Sequence, residues 1–419
     1  MAELSAVEKK IKIQGNGIRI SPELKIQLRE EGYYPVALTW INEELTGPFS
    51  FAGYGESSPF ELKKIDGQYQ VFENGKFFTA VSFYRKPDFF DRQWAMGKDS
   101  ENGGTIFIDE GMSGIITPCG SLDTEEGDSL NIASGKFPYV TLACYNGLVV
   151  WLSWGCFYNQ QGNPCKFCCI PGEYNDSKVL VNQEGWLENL ADTVDAAFNE
   201  IGSDLINCSV TLDAGTIPGR DKGVWAYAKV LEAIKEKHGS LPKTIYIRAV
   251  IEPPHDESGL RALRNAGFTS IQMDVDIYDE STRRAIMPNA KGFRPVVEYE
   301  KAFLKAKEIF PGEVATQLLV GIQSDENLLK GVERFASLGV PAIVTPFLPF
   351  GQGVTLRKTT GIDVPDAERM KRVYDQAANI LMKYNVSPPQ FRGGVSSLSE
   401  YMGKRLKRVP ALTNRQMIF

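Results

Sequence analysis

Histidine is nearly absent, with only His238 and His255 in 419 residues. So small a stock argues against a histidine-based nucleophile triad or a histidine-rich non-haem iron site. Long apolar runs are missing too: no stretch reaches the roughly eighteen residues a membrane helix needs. The opening Met1-Ala2-Glu3-Leu4-Ser5 lacks a signal peptide's apolar core, so a cytoplasmic protein with no membrane partner is expected. Positive charge is not in excess. The net charge of −6 argues against nucleic acid or an anionic membrane as the main partner. Gly215-Thr216-Ile217-Pro218-Gly219-Arg220 lacks the Gly-Lys-Ser/Thr end of a phosphate loop. Lys404, Arg405, Lys407 and Arg408 read as a solvated face. Repeats and low-complexity tracts are absent. At 43% hydrophobic and 23% charged residues, the composition is that of an ordinary globular protein with room for a large core.

Cysteine is scarce overall but concentrated. Four of the seven lie within Gly155–Cys169, and Cys156, Cys165 and Cys168 are spaced C-x8-C-x2-C. The apolar run Leu148 to Trp154 leads into the first and reads as a buried strand. The Gly, Asn and Pro content after it reads as a loop. In a reducing compartment, clustered thiols favour metal over disulfides. Four readings stay open on spacing alone. A zinc site wants four ligands, and no second C-x-x-C exists. A redox pair, Cys165 with Cys168, needs no further cysteine. Inert buried thiols are the bland alternative. The fourth is an iron–sulfur cluster on three cysteines, with one iron left open. Cys169 is extra, and Cys119 and Cys144 are isolated packing residues.

The texture changes along the chain. Residues 1 to about 140 are strand- and turn-rich, with aromatic segments such as Phe77–Tyr84 and Thr105–Ile108, and Ser21 to Glu31 is a candidate helix with Ser21 as N-cap. From about 147, strand candidates at 148–155, 205–213, 244–252, 270–277, 314–321 and 341–347 alternate with helical patterns. Examples are Trp186, Leu190, Val194, Ala197 and Ile201, and later Leu328, Val332 and Phe335. Six such units predict a parallel α/β sheet, flat or curled into an open barrel.

The strands alternate sharply. Ile247, Ala249 and Ile251 oppose Arg248 and Glu252; Ile271, Met273 and Val275 oppose Gln272, Asp274 and Asp276; Val210 and Leu212 oppose Thr211 and Asp213. Successive side chains take opposite faces, so the apolar set meets the helices and the polar set lines a lumen. A polar lumen implies a polar ligand, since buried polar groups need partners.

Three cysteines after the first strand, with an aromatic before the last (Phe167 in Cys165-Lys166-Phe167-Cys168), resemble the radical S-adenosylmethionine (SAM) superfamily. Its usual spacing is C-x3-C-x2-C, and here the first gap is eight. Ser281–Pro288, Val344–Gly353 and Phe391–Ser396 are similar to the biotin-synthase-like and methylornithine-synthase-like branch. The resemblance covers about residues 148–400. It implies an open partial (βα)6 TIM-like barrel with a mainly β accessory domain, divided as 1–140 accessory domain or cap, 141–360 barrel and 361–419 helical extension. It implies a [4Fe–4S] cluster on Cys156, Cys165 and Cys168, and SAM as the second cofactor. Carried over by position, Asp213, Gly215 and Thr216 stand in the turn that meets the methionine amine. Phe167 and Gly321 lie toward adenine, Asp274 or Asp276 toward ribose, and Arg248, Glu252 and Arg284 toward the carboxylate or substrate. Tyr158 and Cys169 are the candidates for catalytic work on a substrate or intermediate.

The expected function is anaerobic reductive cleavage of SAM, then hydrogen abstraction from a small polar, amino-acid-like substrate. A flavodoxin- or ferredoxin-type electron donor is implied. A radical methylase, a 3-amino-3-carboxypropyl transferase, a non-radical iron–sulfur carrier or maturation protein, and a zinc-stabilised hydrolase are the alternatives. An Asp-x-His-x-x-Gly cobalamin signature is absent.

Overall fold

The computed structural model describes residues 59–85, 147–153, 155–168, 185–201, 209–219, 221–239, 246–287, 291–347 and 352–387, with shorter pieces among residues 9–50 and at 93–97, 106–109, 136–143, 181 and 241. Cys119, Cys144, Cys169, Cys208 and Phe391–Ser396 lie outside them. Of the candidate first helix, Leu24 N–H donates to Ser21 Oγ at 3.2 Å, as an N-cap requires.

The first five strands are β1 (Tyr33–Trp40), β2 (Phe49–Ser50), β3 (Phe60–Ile65), β4 (Gln68–Glu73) and β5 (Lys76–Arg85), in the order β2-β1-β5-β4-β3. They form an antiparallel sheet. Local sequence fixes its hairpins. Asp66-Gly67 and Asn74-Gly75 each take positive φ at both positions, which two-residue turns matched to strand twist require.

The second sheet carries β6 (Gln93–Gly97), β7 (Ile106–Asp109), β8 (Lys136–Ala143), β9 (Gly147–Ser153), β10 (Ser209–Ala214), β11 (Tyr246–Val250), β12 (Ser270–Gln272), β13 (Val314–Val320) and β14 (Ala342–Pro346). Its order is β14-β13-β12-β11-β10-β9-β8-β6-β7. From β9 to β14 every pairing is parallel and sequential, and the described strands do not close into a ring. This is the open α/β half-barrel expected. Antiparallel β8 extends the same sheet past β9.

Helices Trp186–Ile201, Val224–His238, Glu257–Ala266, Val296–Ile309 and Asp325–Ser337 cross between the parallel strands. Their apolar spacing predicts what they bury: Leu190, Val194, Ala197, Leu328, Val332 and Phe335 are fully enclosed. The outer strand faces, Leu148/Val150/Leu152, Val210/Leu212, Ile247/Ala249/Ile251 and Ile271/Met273/Val275, join them in one core. The predicted alternation therefore holds, and the polar positions fall on the opposite, lumen side. A second apolar cluster, Ile277, Ile286, Met287, Leu319, Ile322, Phe347 and Leu356, lies at the carboxyl ends of the last three strands. No helix among the described residues is long and apolar enough to cross a membrane.

Candidate active site at the carboxyl ends of the strands

The cysteine loop follows β9, and Asp213 and Glu252 stand at or just past the carboxyl ends of β10 and β11. Cys156 precedes the one-turn helix Phe157–Gln160 and its thiol makes no capping hydrogen bond. Cys168 N–H donates to Cys165 O at 2.9 Å, so the two-residue arm is a turn carrying both thiols. Cys156, Cys165 and Cys168 are half-buried and none is in a disulfide. Burial, then the Cys168 thiol, push the Cys165 thiol well above its ordinary range.

The loop is pinned from three sides. Phe157 N–H donates to Thr216 O at 2.8 Å, Lys166 N–H to Ile286 O at 2.9 Å, and Gln352 N–H to Cys168 O at 3.1 Å. Cys165 and Phe167 pack on the second apolar cluster. Gly215 is what lets β10 approach: a Cβ there would lie 2.4 Å from Gly155 O and 2.7 Å from Cys156 Cβ, closer than atoms tolerate.

Beside Cys156, Glu252 is a hub. Its carboxylate accepts from Thr216 Oγ1 at 2.6 Å and Tyr158 Oη at 3.3 Å, and Arg294 Nη2 stands 3.8 Å away. Lys222 Nζ donates to Tyr158 Oη at 3.1 Å. Burial, with the Glu252 charge next, pushes the Tyr158 phenol up, so it stays protonated and donates. Arg294 also donates to Pro253 O at 2.5 Å. The result is an anion and a cation side by side, next to the cysteine loop.

Deeper in the lumen a polar chain runs along the sheet. Arg248, fully buried, donates to Glu313 Oε1 at 2.6 Å and to Gln272 Oε1 at 3.1 Å. Gln272 Nε2 then donates to Asp274 Oδ1 at 3.0 Å. Asp276 takes the left-handed conformation (φ 61°), costly for a non-glycine residue, and accepts from Lys291 Nζ at 3.1 Å. Burial, then the Asp274 charge, push Asp213 up to about 7. Burial and the Asp276 charge likewise raise Asp274. Both are half-buried.

The predicted residues divide accordingly. Cys156, Cys165, Cys168, Tyr158, Thr216, Gly215 and Glu252 come together at the loop; Asp213, Asp274 and Asp276 line the lumen. Arg248 reaches the amino end of β13 through Glu313 and acts as a structural ion pair. Arg284 lies exposed on helix Glu280–Ile286 beside Glu280, at 3.4 Å, and is not brought to the site. Gly321 (φ 109°) turns the chain after β13 against Pro365 and Phe347. Cys169 lies outside the described residues. Lys291, Arg294 and Lys222 were not singled out by sequence. Lys291 opens a single 3-10 turn, Lys291–Phe293, and Arg294 follows it; so short an element carries no periodicity in the sequence. Among the described residues no three His, Cys, Asp or Glu side chains gather around a single metal ion.

No protein-family model matches the chain, and no curated protein matches it. Among solved structures it is similar to the FeFe-hydrogenase maturase HydG from Carboxydothermus hydrogenoformans, at 16% identity and TM-score 0.41, covering 58% of this chain and 54% of that one. Coproporphyrinogen III oxidase (HemN) from Escherichia coli, described as a radical SAM enzyme, is 13% identical at TM-score 0.39, covering 57% and 53%. Methylornithine synthase (PylB) is 15% identical at TM-score 0.38, covering 61% and 75%. The chain thus spans about half the length of the first two.

Proposed function

We propose that this chain is a radical SAM enzyme acting on a small polar substrate. The observation that carries the reading is the three-thiol loop, set at the carboxyl end of the first parallel strand and pressed against Gly215. The donor set suits a [4Fe–4S] cluster: three thiols unlinked to one another, two on one turn, and a zwitterion receptor alongside in place of a fourth sulfur. Cys156, Cys165 and Cys168 would hold the cluster. When bound, such a cluster supplies the electron that cleaves SAM to a 5′-deoxyadenosyl radical.

The chain's own residues bind, orient and shield. Arg294 offers a guanidinium to the methionyl carboxylate, and Glu252 with Thr216 offers oxygens to the amine. Asp276 offers a carboxylate to ribose hydroxyls. Phe167 and its apolar neighbours cover the loop and exclude water. Tyr158, protonated and held by Lys222 and Glu252, is the group this reading assigns to handling a substrate proton or hydrogen. In this reading residues 1–140 form the accessory region, 141–360 the catalytic barrel and 361–419 its extension. A flavodoxin- or ferredoxin-type protein would deliver the electron in the cytoplasm.

The test is electron paramagnetic resonance of the anaerobically reconstituted, dithionite-reduced protein. Adding SAM should change the cluster signal, because SAM occupies the open iron. A signal indifferent to SAM contradicts the reading and favours an iron–sulfur carrier.

A further inference from the structure

The ion pairs around Arg294 leave one cation over. Glu252 is met by Arg294 at 3.8 Å, Asp276 by Lys291 at 3.1 Å, and Glu280 by Arg284 at 3.4 Å. Arg283, 1% exposed, forms no ion pair among the described residues. It takes the inward position on helix Glu280–Ile286. Its Nη2 donates to Arg294 O, and its Nε and Nη1 have no hydrogen-bond partner. An enclosed guanidinium with donors to spare is unfavourable without an anion.

A second orphan lies against it. The Arg283 guanidinium stands 5.8 Å from the ring centre of Tyr299 on helix Val296–Ile309. Tyr299 is fully buried, yet its Oη has no hydrogen-bond partner. Contact with the ring serves the charge of the guanidinium, but it makes none of the N–H and O–H bonds these groups can form. Arg294 meets the same ring, at 5.9 Å, and joins the pair to the site. Its carbonyl takes the Arg283 bond, and its guanidinium stands beside Glu252. Arg283 Nε, Arg283 Nη1 and Tyr299 Oη are therefore unsatisfied on two neighbouring side chains, next to the residue offered to SAM.

We infer that Arg283 and Tyr299 hold the carboxylate of the substrate. A carboxylate brings the charge that Arg283 lacks and two acceptor oxygens, one for a guanidinium N–H and one for the phenol O–H. A metal cation fits badly, because an uncompensated guanidinium repels it. Assigning the carboxylate to the substrate rests on the function proposed above, in which Arg294 takes the methionyl carboxylate. Binding of the anion itself needs neither cluster nor SAM.

The experiment is a thermal-shift and calorimetric titration of the full chain, without cluster, at pH 7.5 and constant ionic strength. The probes are propionate, its neutral amide propionamide and inorganic phosphate. Propionate should bind and raise Tm while the amide does neither. Tyr299→Phe removes a hydroxyl that bonds nothing in the protein, so Tm without propionate should hold or rise while propionate affinity falls severalfold. Arg283→Met, checked for a native circular dichroism spectrum, should weaken propionate binding about tenfold or more, as loss of a charged hydrogen-bond partner does. Should that variant fail to fold, Tyr299→Phe still decides. No propionate binding, equal binding of the amide, preference for phosphate, or unchanged affinity in Tyr299→Phe would overturn the inference. A second arm repeats the propionate titration on the reconstituted chain saturated with SAM. Undiminished affinity assigns the carboxylate to the substrate, and competition by SAM would overturn that assignment. Propionate binding without deoxyadenosine formation would leave this site standing and remove the radical reading; the reverse result would do the opposite.

Discussion

The Thr216 hydroxyl donates to Glu252 at 2.6 Å while the Thr216 carbonyl accepts from Phe157 N–H at 2.8 Å. One residue thus ties the end of β11 to the start of the cysteine loop. The acidic hub and the cysteine loop are linked through residues at strand ends.

Removing the hub should therefore separate SAM binding from cluster binding. Glu252→Ala strips partners from Thr216, Tyr158 and Arg294, and SAM affinity should fall about tenfold or more. Equilibrium dialysis with the reconstituted protein measures this. Wild-type affinity with wild-type iron content would remove Glu252 from the site.

Gly215→Ala should do the opposite. The added methyl group must displace Gly155 or Cys156, so the Cys156 thiol shifts first. Iron per chain after reconstitution should fall with little change in the circular dichroism spectrum. Full iron loading would show that the turn has slack the structure does not suggest.

Arg248 should matter for stability rather than for binding. Arg248→Met removes the fully buried guanidinium from its 2.6 Å pair with Glu313 and costs about 3–5 kcal/mol. Urea unfolding should record that loss, and the double variant with Glu313→Leu should recover part of it. Equal additive losses would mean the two residues act separately.

Stability should also depend on pH through Asp213. It titrates at about 7 in the fold against an ordinary 3.8, so across that interval the folded state holds a proton the unfolded chain has released. Stability is then fully present below about pH 4 and declines as pH rises through 7. Asp274, Tyr227 and Lys291 face the group; Lys291 is the near cation that moderates the effect. Asp213→Asn should flatten the difference in unfolding free energy between pH 5 and pH 7.5 by about 2 kcal/mol. An unchanged slope would assign it to other groups.

Much of this was legible beforehand because period-2 alternation and strand–helix alternation are local signals. They place Asp213, Glu252, Asp274 and Asp276 on the lumen side without any knowledge of contacts. Arg248 misleads for the same reason. Alternation gives its face, but the direction of a long side chain along the barrel depends on Glu313, 65 residues away. Arg284 misleads differently, since neighbouring Arg283 takes the inward helix position and spacing alone does not choose between them. Lys291 and Arg294 were invisible because the single turn there has no periodicity, and only folding brings them to Asp276 and Glu252.

The most direct test is 5′-deoxyadenosine formation by the anaerobically reconstituted chain, given dithionite and SAM. The account predicts deoxyadenosine from the wild type and none from Cys165→Ala, Cys156→Ala or Cys168→Ala. An iron-loaded wild type that makes none under these conditions, or a cysteine variant that still makes it, would contradict the account.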